Sequence, residues 1–284
     1  MRIANLAGRA VLLVPDGAID IHKASGGSLG PDPGSIFERW DDLRPQLAGL
    51  VGEPVPYAEA DLLAPVPSPR QIFAIGINYA EHAAEAELAA PKASEAGAPV
   101  TFTKFASCLT GPISHVVLPQ GMVDWEVELV AVIGRAAHRV PVEDAWTYVA
   151  GLTVGQDLTE RLTQWSGSAP QQFSLGKSYP GFGPLGPAVV TLDEFDDPAD
   201  LRIGCEVNGV SMQSASTSEM TFNVPELVSR LSAVLPLLPG DLIFTGTPAG
   251  IGATRVPPVF LKDGDELVSR IEGIGTLRTT FGEG

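Results

Sequence analysis

From Trp125 onward the chain first alternates and then turns solidly apolar, reading Trp125-Glu126-Val127-Glu128-Leu129-Val130-Ala131-Val132-Ile133. Such a run predicts a strand over 125–133 that is buried on both faces. Side chains two apart share a face, so Glu126 and Glu128 project together while Trp125, Val127 and Leu129 line the other side. Two like charges side by side in a poorly solvated place are costly unless something positive compensates them. A divalent cation is the simplest compensation.

Around this strand the pattern is mixed. Residues 1–21 alternate weakly around Gly8 and the Pro15-Asp16-Gly17 turn signal, which predicts short strands of a small sheet. Ser35 and Glu38 have the spacing of a capping box. They precede a helical face of Ile36, Trp40, Leu43 and Leu47, with Pro45 weakening the last turn. Five prolines between 52 and 69 mark an extended linker, dividing the chain into a small leading domain, 1–65, and a larger one, 66–284.

In the larger part, a strand over 71–77 leads through Gly76-Ile77-Asn78-Tyr79 into an alanine-rich helix over 80–90. Further strands are predicted at 100–105, 152–155, 188–192, 202–208 and 242–245, and again after Asp265. A helix over 142–150 is expected to stop at Gly151, and Asn223 with Glu226 caps a helix to about 235. Asn208-Gly209 reads as a type I′ hairpin turn, and residues 165–187 as a shaped Gly/Pro loop. Strands outnumber helices without a βαβ rhythm, which predicts an α+β fold rather than a doubly wound sheet or barrel.

Composition narrows the functional classes. The 284 residues are enough for a large core. A formal charge of −16 argues against binding nucleic acid or an anionic membrane surface. An anionic small molecule stays open, because a metal and a few local cations can invert the potential inside a cleft. Cys108 and Cys205 stand in apolar settings and predict two buried thiols rather than a disulfide scaffold, and the four histidines have no zinc-like spacing. The Ala10 to Val14 apolar run is too short for a signal peptide core and no stretch approaches a membrane span, so a cytoplasmic location is expected.

Asp157, where a buried strand opens into Leu158-Thr159-Glu160-Arg161, is the natural third oxygen ligand beside Glu126 and Glu128. Carboxylates without sulfur or imidazole suit Mg²⁺, Mn²⁺ or Ca²⁺. The alternative puts Glu126 on a solvated face, paired with an arginine. His82 and Glu85, three apart on a helix, fall within contact range, and a carboxylate beside an imidazole orients it and raises its basicity. An ordinary surface pair is the competing reading. Lys177 stands in Ser174-Leu175-Gly176-Lys177-Ser178, placed either to stabilise an anion or simply to face solvent, and Lys104 is a second candidate cation. Thr247, in the tight loop Gly246-Thr247-Pro248-Ala249-Gly250-Ile251-Gly252, is placed to present its hydroxyl and nearby N–H groups to a carboxylate. That loop lacks a Walker lysine, so a nucleotide reading has no support.

Six collinear segments carry a resemblance. They are Gly76-Ile77-Asn78-Tyr79-Ala80-Glu81-His82-Ala83-Ala84-Glu85, Lys104 through Gly111-Pro112, Trp125-Glu126-Val127-Glu128-Leu129, and Gly155-Gln156-Asp157-Leu158-Thr159-Glu160-Arg161. Leu175-Gly176-Lys177-Ser178-Tyr179 with Pro184-Leu185-Gly186-Pro187 follows, and then Phe244 through Gly252. Together they resemble the fumarylacetoacetate hydrolase family over about 65–284. The resemblance implies a mixed β-roll or β-sandwich of curled sheets with flanking helices, here behind a small N-terminal α+β domain, and a homodimer. It implies Mg²⁺ or Mn²⁺ on Glu126, Glu128 and Asp157, with Ca²⁺ an allowed substitute in a crystal. His82 with Glu85 becomes the acid–base dyad, on a segment that orders as a lid when substrate binds. Lys177 contacts the substrate oxygens and Thr247 its carboxylate, with Tyr79, Lys104, Arg161 and Gln164 also assigned to the substrate pocket. Two departures stand out. Pro180 replaces an acidic residue usual in the family, which should leave Lys177 freer for a substrate anion or change the substrate. Glu160 stands where many members have a small residue, which would alter the charge at the pocket edge.

The implied substrate is a 2-oxo carboxylate chelated through its carboxylate and keto oxygens. Hydrolytic C–C cleavage of a 2,4-dioxo acid (an acylpyruvate or a 2,4-dioxo-3-deoxy sugar acid) with release of pyruvate is the first expectation. There His82 deprotonates a water and Lys177 stabilises the oxyanion. Oxaloacetate decarboxylation is next, then isomerase or hydratase action through the same enolate. The non-enzyme alternative is a catalytically silent metal-binding scaffold, which the joint presence of the dyad, Lys177 and three carboxylates opposes.

Overall fold

The computed structural model describes residues 1–86, 99–167 and 171–283. Its frame is an 11-stranded mixed sheet. The main path runs Gly17–Asp20, Arg9–Val14, Arg2–Leu6, Gly183–Val190, Val149–Gln156, Val127–Ile133, Leu242–Phe244, Ile72–Gly76 and Val100–Thr103. A 5-stranded sheet, in the order Val210–Ser216, Arg202–Val207, Glu266–Ile271, Gly275–Glu283 and Ile113–Leu118, faces it across the larger core. The fold is α+β, with curled sheets, flanking helices and no closed barrel among the described residues.

The acidic-pair strand sits in the middle of this arrangement. Val127, Leu129, Ala131 and Ile133 pack toward the 5-stranded sheet with Ile203, Val207, Leu267 and Leu277. Val130 and Val132 turn the other way and meet Ile36, Phe37, Trp40, Leu43 and Leu47 from the helices Pro33–Glu38 and Trp40–Ala48. Both faces are covered, so all seven residues of Val127–Ile133 are buried. A solid apolar run is what that environment demands.

Several expectations hold. Asn208 and Gly209 adopt φ of 52° and 76°, as a type I′ turn requires, and the Asn223–Glu226 capping box forms at the head of Val224–Val234. Cys108 and Cys205 are buried free thiols. No helix among the described residues is long and apolar enough to cross a membrane.

Other expectations are corrected. The Ser35–Glu38 box does not form: Asp32 caps the helix by accepting from the Ser35 N–H, and Pro33 takes the first turn, where its fixed φ is favourable. The helix expected over 142–150 is a 3₁₀ segment, Val142–Tyr148, and a strand begins already at Val149. Gly151 lies within that strand, where a Cβ would come 2.4 Å from the Val190 carbonyl oxygen, so it marks close strand approach rather than a helix stop. The 165–187 loop is partly regular, because Phe173–Gly176 is helical and Gly183–Val190 is an eight-residue strand. The helix expected over 80–90 runs Ala80–Glu85, and its continuation past residue 86 lies outside the described residues.

The leading segment joins the larger part directly. Arg2 and Ile3 pair with Val190 and Val189, so the leading strands extend the central sheet. We retain the division near residue 65 as a proposal about chain organisation, the two parts sharing one sheet and one apolar cluster. Trp40 is 5% exposed, and a Cβ on Gly134 would come 2.4 Å from its ring. Trp40→Ala should cost about 3–5 kcal/mol. Urea unfolding should show a lower midpoint, with the far-UV signal and the fluorescence of the remaining tryptophans moving in a single transition.

Candidate active site

Four neighbouring strands bring their chemistry to the same edge. Val127–Ile133 begins there, directly after Glu126, and its antiparallel neighbour Val149–Gln156 ends there, just before Asp157. Leu242–Phe244 and Ile72–Gly76 are parallel to one another, so both leave at that edge, delivering the Gly246–Gly252 loop and the helix Ala80–Glu85. The Asp157 N–H donates to the Glu126 carbonyl at 2.9 Å, locking the two ligand positions side by side. Asn78, fully buried, ties the exit of one strand to the other: its Nδ2 donates to the carbonyls of Thr245 at 2.7 Å and Phe222 at 2.9 Å. Gly246, at φ 95°, donates its N–H to Glu128 Oε2 at 2.8 Å, and a Cβ there would come 2.7 Å from Asn78 Cβ.

Glu126, Glu128 and Asp157 offer one oxygen each within 4.8 Å of one another, all three residues buried. Around them the charge is unbalanced. Glu126 pairs with Lys177 at 2.6 Å and Arg161 at 2.8 Å, and Asp157 pairs with Lys177 and Lys104, each at 2.7 Å. Arg161 is also held by Asp124 at 2.8 Å. Four buried carboxylates therefore face three buried cations, and Glu128 is the one without an ion-pair partner among the described residues. Burial, then Asp157 and Glu126, push the Glu128 carboxyl well above the usual range. For Glu126 burial acts in the same direction, but Lys177 and Arg161 outweigh it and hold the group below its ordinary value. A divalent cation on these hard oxygen donors fits the set: it would relieve Glu128 and turn one excess negative charge into one excess positive charge.

Next to the carboxylates lies a cleft of ≈ 290 Å³, lined by His82, Glu126, Arg161, Gln164, Lys177, Thr247 and Thr254 together with Ile77, Phe102, Trp165, Phe173 and Ile251. His82 Nδ1 meets Glu85 Oε1 at 2.7 Å. The other Glu85 oxygen accepts from the Gly250 N–H at 2.9 Å and the Thr254 hydroxyl at 3.0 Å. Burial raises the Glu85 carboxyl, but His82 and these donors outweigh it and keep the group below its ordinary value. With a carboxylate accepting at Nδ1, the proton sits on that nitrogen and Nε2 is left as the basic site.

The structure separates the sequence candidates. His82, Lys177, Arg161, Gln164 and Thr247 line the cleft with Glu126; Tyr79 and Lys104 do not. Lys104 lies behind the site, its Nζ donating to Asp157 Oδ1 and to the carbonyls of Lys177 and Phe182. Tyr79 is 2% exposed, its hydroxyl has no hydrogen-bond partner among the described residues, and it lines a neighbouring cavity with Glu81 and Glu219. Thr247 spends its hydroxyl on the Val127 carbonyl and on Gln213 Nε2, so its backbone N–H is what the loop can offer a carboxylate. Pro180 does not leave Lys177 unpaired, because Glu126 and Asp157 both hold it. Glu160 is no pocket-edge charge: both its oxygens cap the helix Arg161–Gln164. Sequence reasoning missed Asp124, which is fully buried, anchors Arg161 and accepts from the N–H groups of Gly252 and Ala253. The signal was present, since Asp124 opens the same alternation as Glu126 and Glu128.

Residues 71–282 match the family model for Fumarylacetoacetate (FAA) hydrolase C-terminal. The chain belongs to the fumarylacetoacetate hydrolase family. Within that family it is 44% identical over 225 residues to the Bos taurus protein named oxaloacetate tautomerase FAHD2A, mitochondrial, which covers 78% of this chain and 70% of the relative. A solved structure from Mycobacterium smegmatis, described as HpcE, superposes with a TM-score of 0.93 at 47% identity, covering 100% of this chain and 99% of that one. The maleylpyruvate hydrolase of Sphingobium sp. SYK-6, solved with manganese(II) and pyruvate, superposes with a TM-score of 0.78 at 31% identity over 100% of both chains. Fumarylacetoacetate hydrolase family members are thus enzymes acting on small-molecule acids. The cytoplasmic expectation is corrected by these relatives, several of which are named as mitochondrial proteins.

Glu128→Gln should leave the metal-free protein at least as stable as the wild type, because it removes the unpaired buried charge. At a hundredfold excess over Kd, Mn²⁺ should stabilise the wild type by about 2.7 kcal/mol. Thermal melts with and without Mn²⁺ check this: the wild-type midpoint rises by several degrees and that of the variant stays put.

Proposed function

We propose that this chain is a divalent-metal-dependent enzyme that acts on a small 2-oxo acid through its enol form. Keto–enol tautomerisation of oxaloacetate is the first reading, supported by the 44% identity to proteins named oxaloacetate tautomerases. The observation that carries the enzyme reading is His82, held by Glu85 and lining one cleft with Glu126 and Lys177, beside the carboxylate triad. Glu126, Glu128 and Asp157 would hold Mg²⁺ or Mn²⁺, which supplies Lewis-acid polarisation of the substrate's keto oxygen.

The chain's own residues do the rest. Glu85 fixes the His82 ring and its tautomer, and His82 Nε2 takes a proton from the carbon beside the keto group and passes it to the former keto oxygen, running the same transfer backwards when the enol returns to the keto form. Lys177 directs its ammonium at the substrate oxygens from between Glu126 and Asp157 and offsets the negative charge that develops. The Thr247 N–H receives the substrate carboxylate, and the buried Arg161 holds Glu126 in place. A second reading is hydrolytic cleavage of a 2,4-dioxo acid with release of pyruvate, favoured by the likeness to a hydrolase solved with manganese(II) and pyruvate. There His82 would deprotonate a water that attacks the distal carbonyl. The family resemblance also makes a homodimer our proposal for the assembly.

Following enol absorbance from oxaloacetate, and pyruvate release from oxaloacetate and acetylpyruvate, separates these readings. A tautomerase equilibrates the enol with Mn²⁺ and stops with EDTA, releasing no pyruvate beyond the enzyme-free Mn²⁺ control, whereas a hydrolase releases pyruvate from acetylpyruvate. Absence of any metal-dependent turnover would sink the enzyme reading. His82→Ala should slow either proton-transfer reaction by about 10²-fold or more, and survival of near full rate would show the dyad assignment to be wrong.

A further inference from the structure

The cleft has a charged inner end and an aromatic mouth. At the inner end every cation is already bonded: Lys177 to Glu126 and Asp157, and Arg161 to Asp124, Glu126 and Gln164. Outward, Phe102 and Phe173 stack with ring centroids 5.5 Å apart, and the Phe102 ring lies 5.3 Å from Lys177 Nζ. Trp165, 46% exposed, continues the wall toward solvent, with Ile77 and Ile251 also lining the cleft. Among the described residues, the other side chains at this mouth that offer hydrogen bonds are neutral: Gln171 and Thr254, the latter already spent on Glu85.

We infer that this wall selects 2-oxo acids whose distal part is apolar, an alkyl or aryl group, over those that carry a second carboxylate at that distance. A carboxylate brought to the mouth would lose water without gaining an unpaired cation among the described residues, whereas an apolar group would bury against three aromatic rings. Oxaloacetate is short enough to keep both carboxylates at the charged end, so the selection acts on longer substrates. The inference rests on the reading that the charged end takes a 2-oxo acid head.

Binding tests it without turnover. N-benzyl oxamate and N-oxalylglycine share the 2-oxo acid-like head and differ in carrying an aryl or a carboxylate tail. Calorimetry on the Mn²⁺-loaded protein should show the benzyl compound binding about tenfold more tightly or better. Trp165→Arg, at an exposed position that spares the core, should shift that ratio about tenfold toward N-oxalylglycine, while Trp165→Ala should weaken only the benzyl compound. Equal affinities, tighter N-oxalylglycine, or a ratio unmoved by Trp165→Arg overturns the proposal. If neither compound binds, the 2-oxo acid reading falls, and the proposal with it. If both bind in the wrong order, only the proposal falls.

Discussion

A carboxylate with no cation of its own among the described residues, buried at the start of the central strand, is the constraint on which the rest of this protein depends. Glu126 and Asp157 each reach a lysine, and Glu126 an arginine as well, but among the described residues Glu128 receives only the Gly246 N–H. Isolated buried charge is among the most expensive features a fold can hold. It is tolerated here because Lys104, Arg161 and Lys177 nearly balance the cluster and a divalent ion would complete it. The same imbalance makes the cleft receptive to an anion once the ion is in place.

Holding such a cluster requires a frame that does not yield. Val127–Ile133 is covered on one side by a second sheet and on the other by two helices from the leading segment. Neighbouring strands approach so closely that Gly155 could not carry a Cβ without meeting Val130 at 2.5 Å and Phe244 at 2.7 Å. Close packing of this kind transmits position, so the ligand oxygens are placed by the whole core. Loop groups are then fastened to the cluster by single hydrogen bonds: Gly246 to Glu128, Gly252 to Asp124 and Gly250 to Glu85.

Much of the site was legible because its chemistry conflicts with its surroundings. Acidic residues inside an apolar strand have few structural reasons to be there, and His82 with Glu85 has a spacing that helical geometry turns into contact. Lys104, Tyr79 and Glu160 were read less well. A lysine in a short strand can point to substrate or behind it, and the difference lies in partners 53 and 73 residues away, Asp157 and Lys177. Glu160 looked like a change of pocket charge and turned out to be a helix cap. Gly151 misled in the same way, since a glycine that stops a helix and one that admits a neighbouring strand look alike in one dimension.

By itself the sequence determined the α+β class, the doubly buried central strand, the I′ hairpin at Asn208-Gly209, the helix cap at Asn223 and the triad residues, because each rests on local periodicity or on residue types that suit few other environments. Only the tertiary structure decided that the leading strands extend the central sheet, that Asp124 and Lys104 brace the site from behind, and that the cleft ends in an aromatic wall. Those facts depend on which strand edges and side chains meet across long stretches of chain. Strand pairing of that range is set by burial on both faces of the sheet at once, a condition that no single segment encodes.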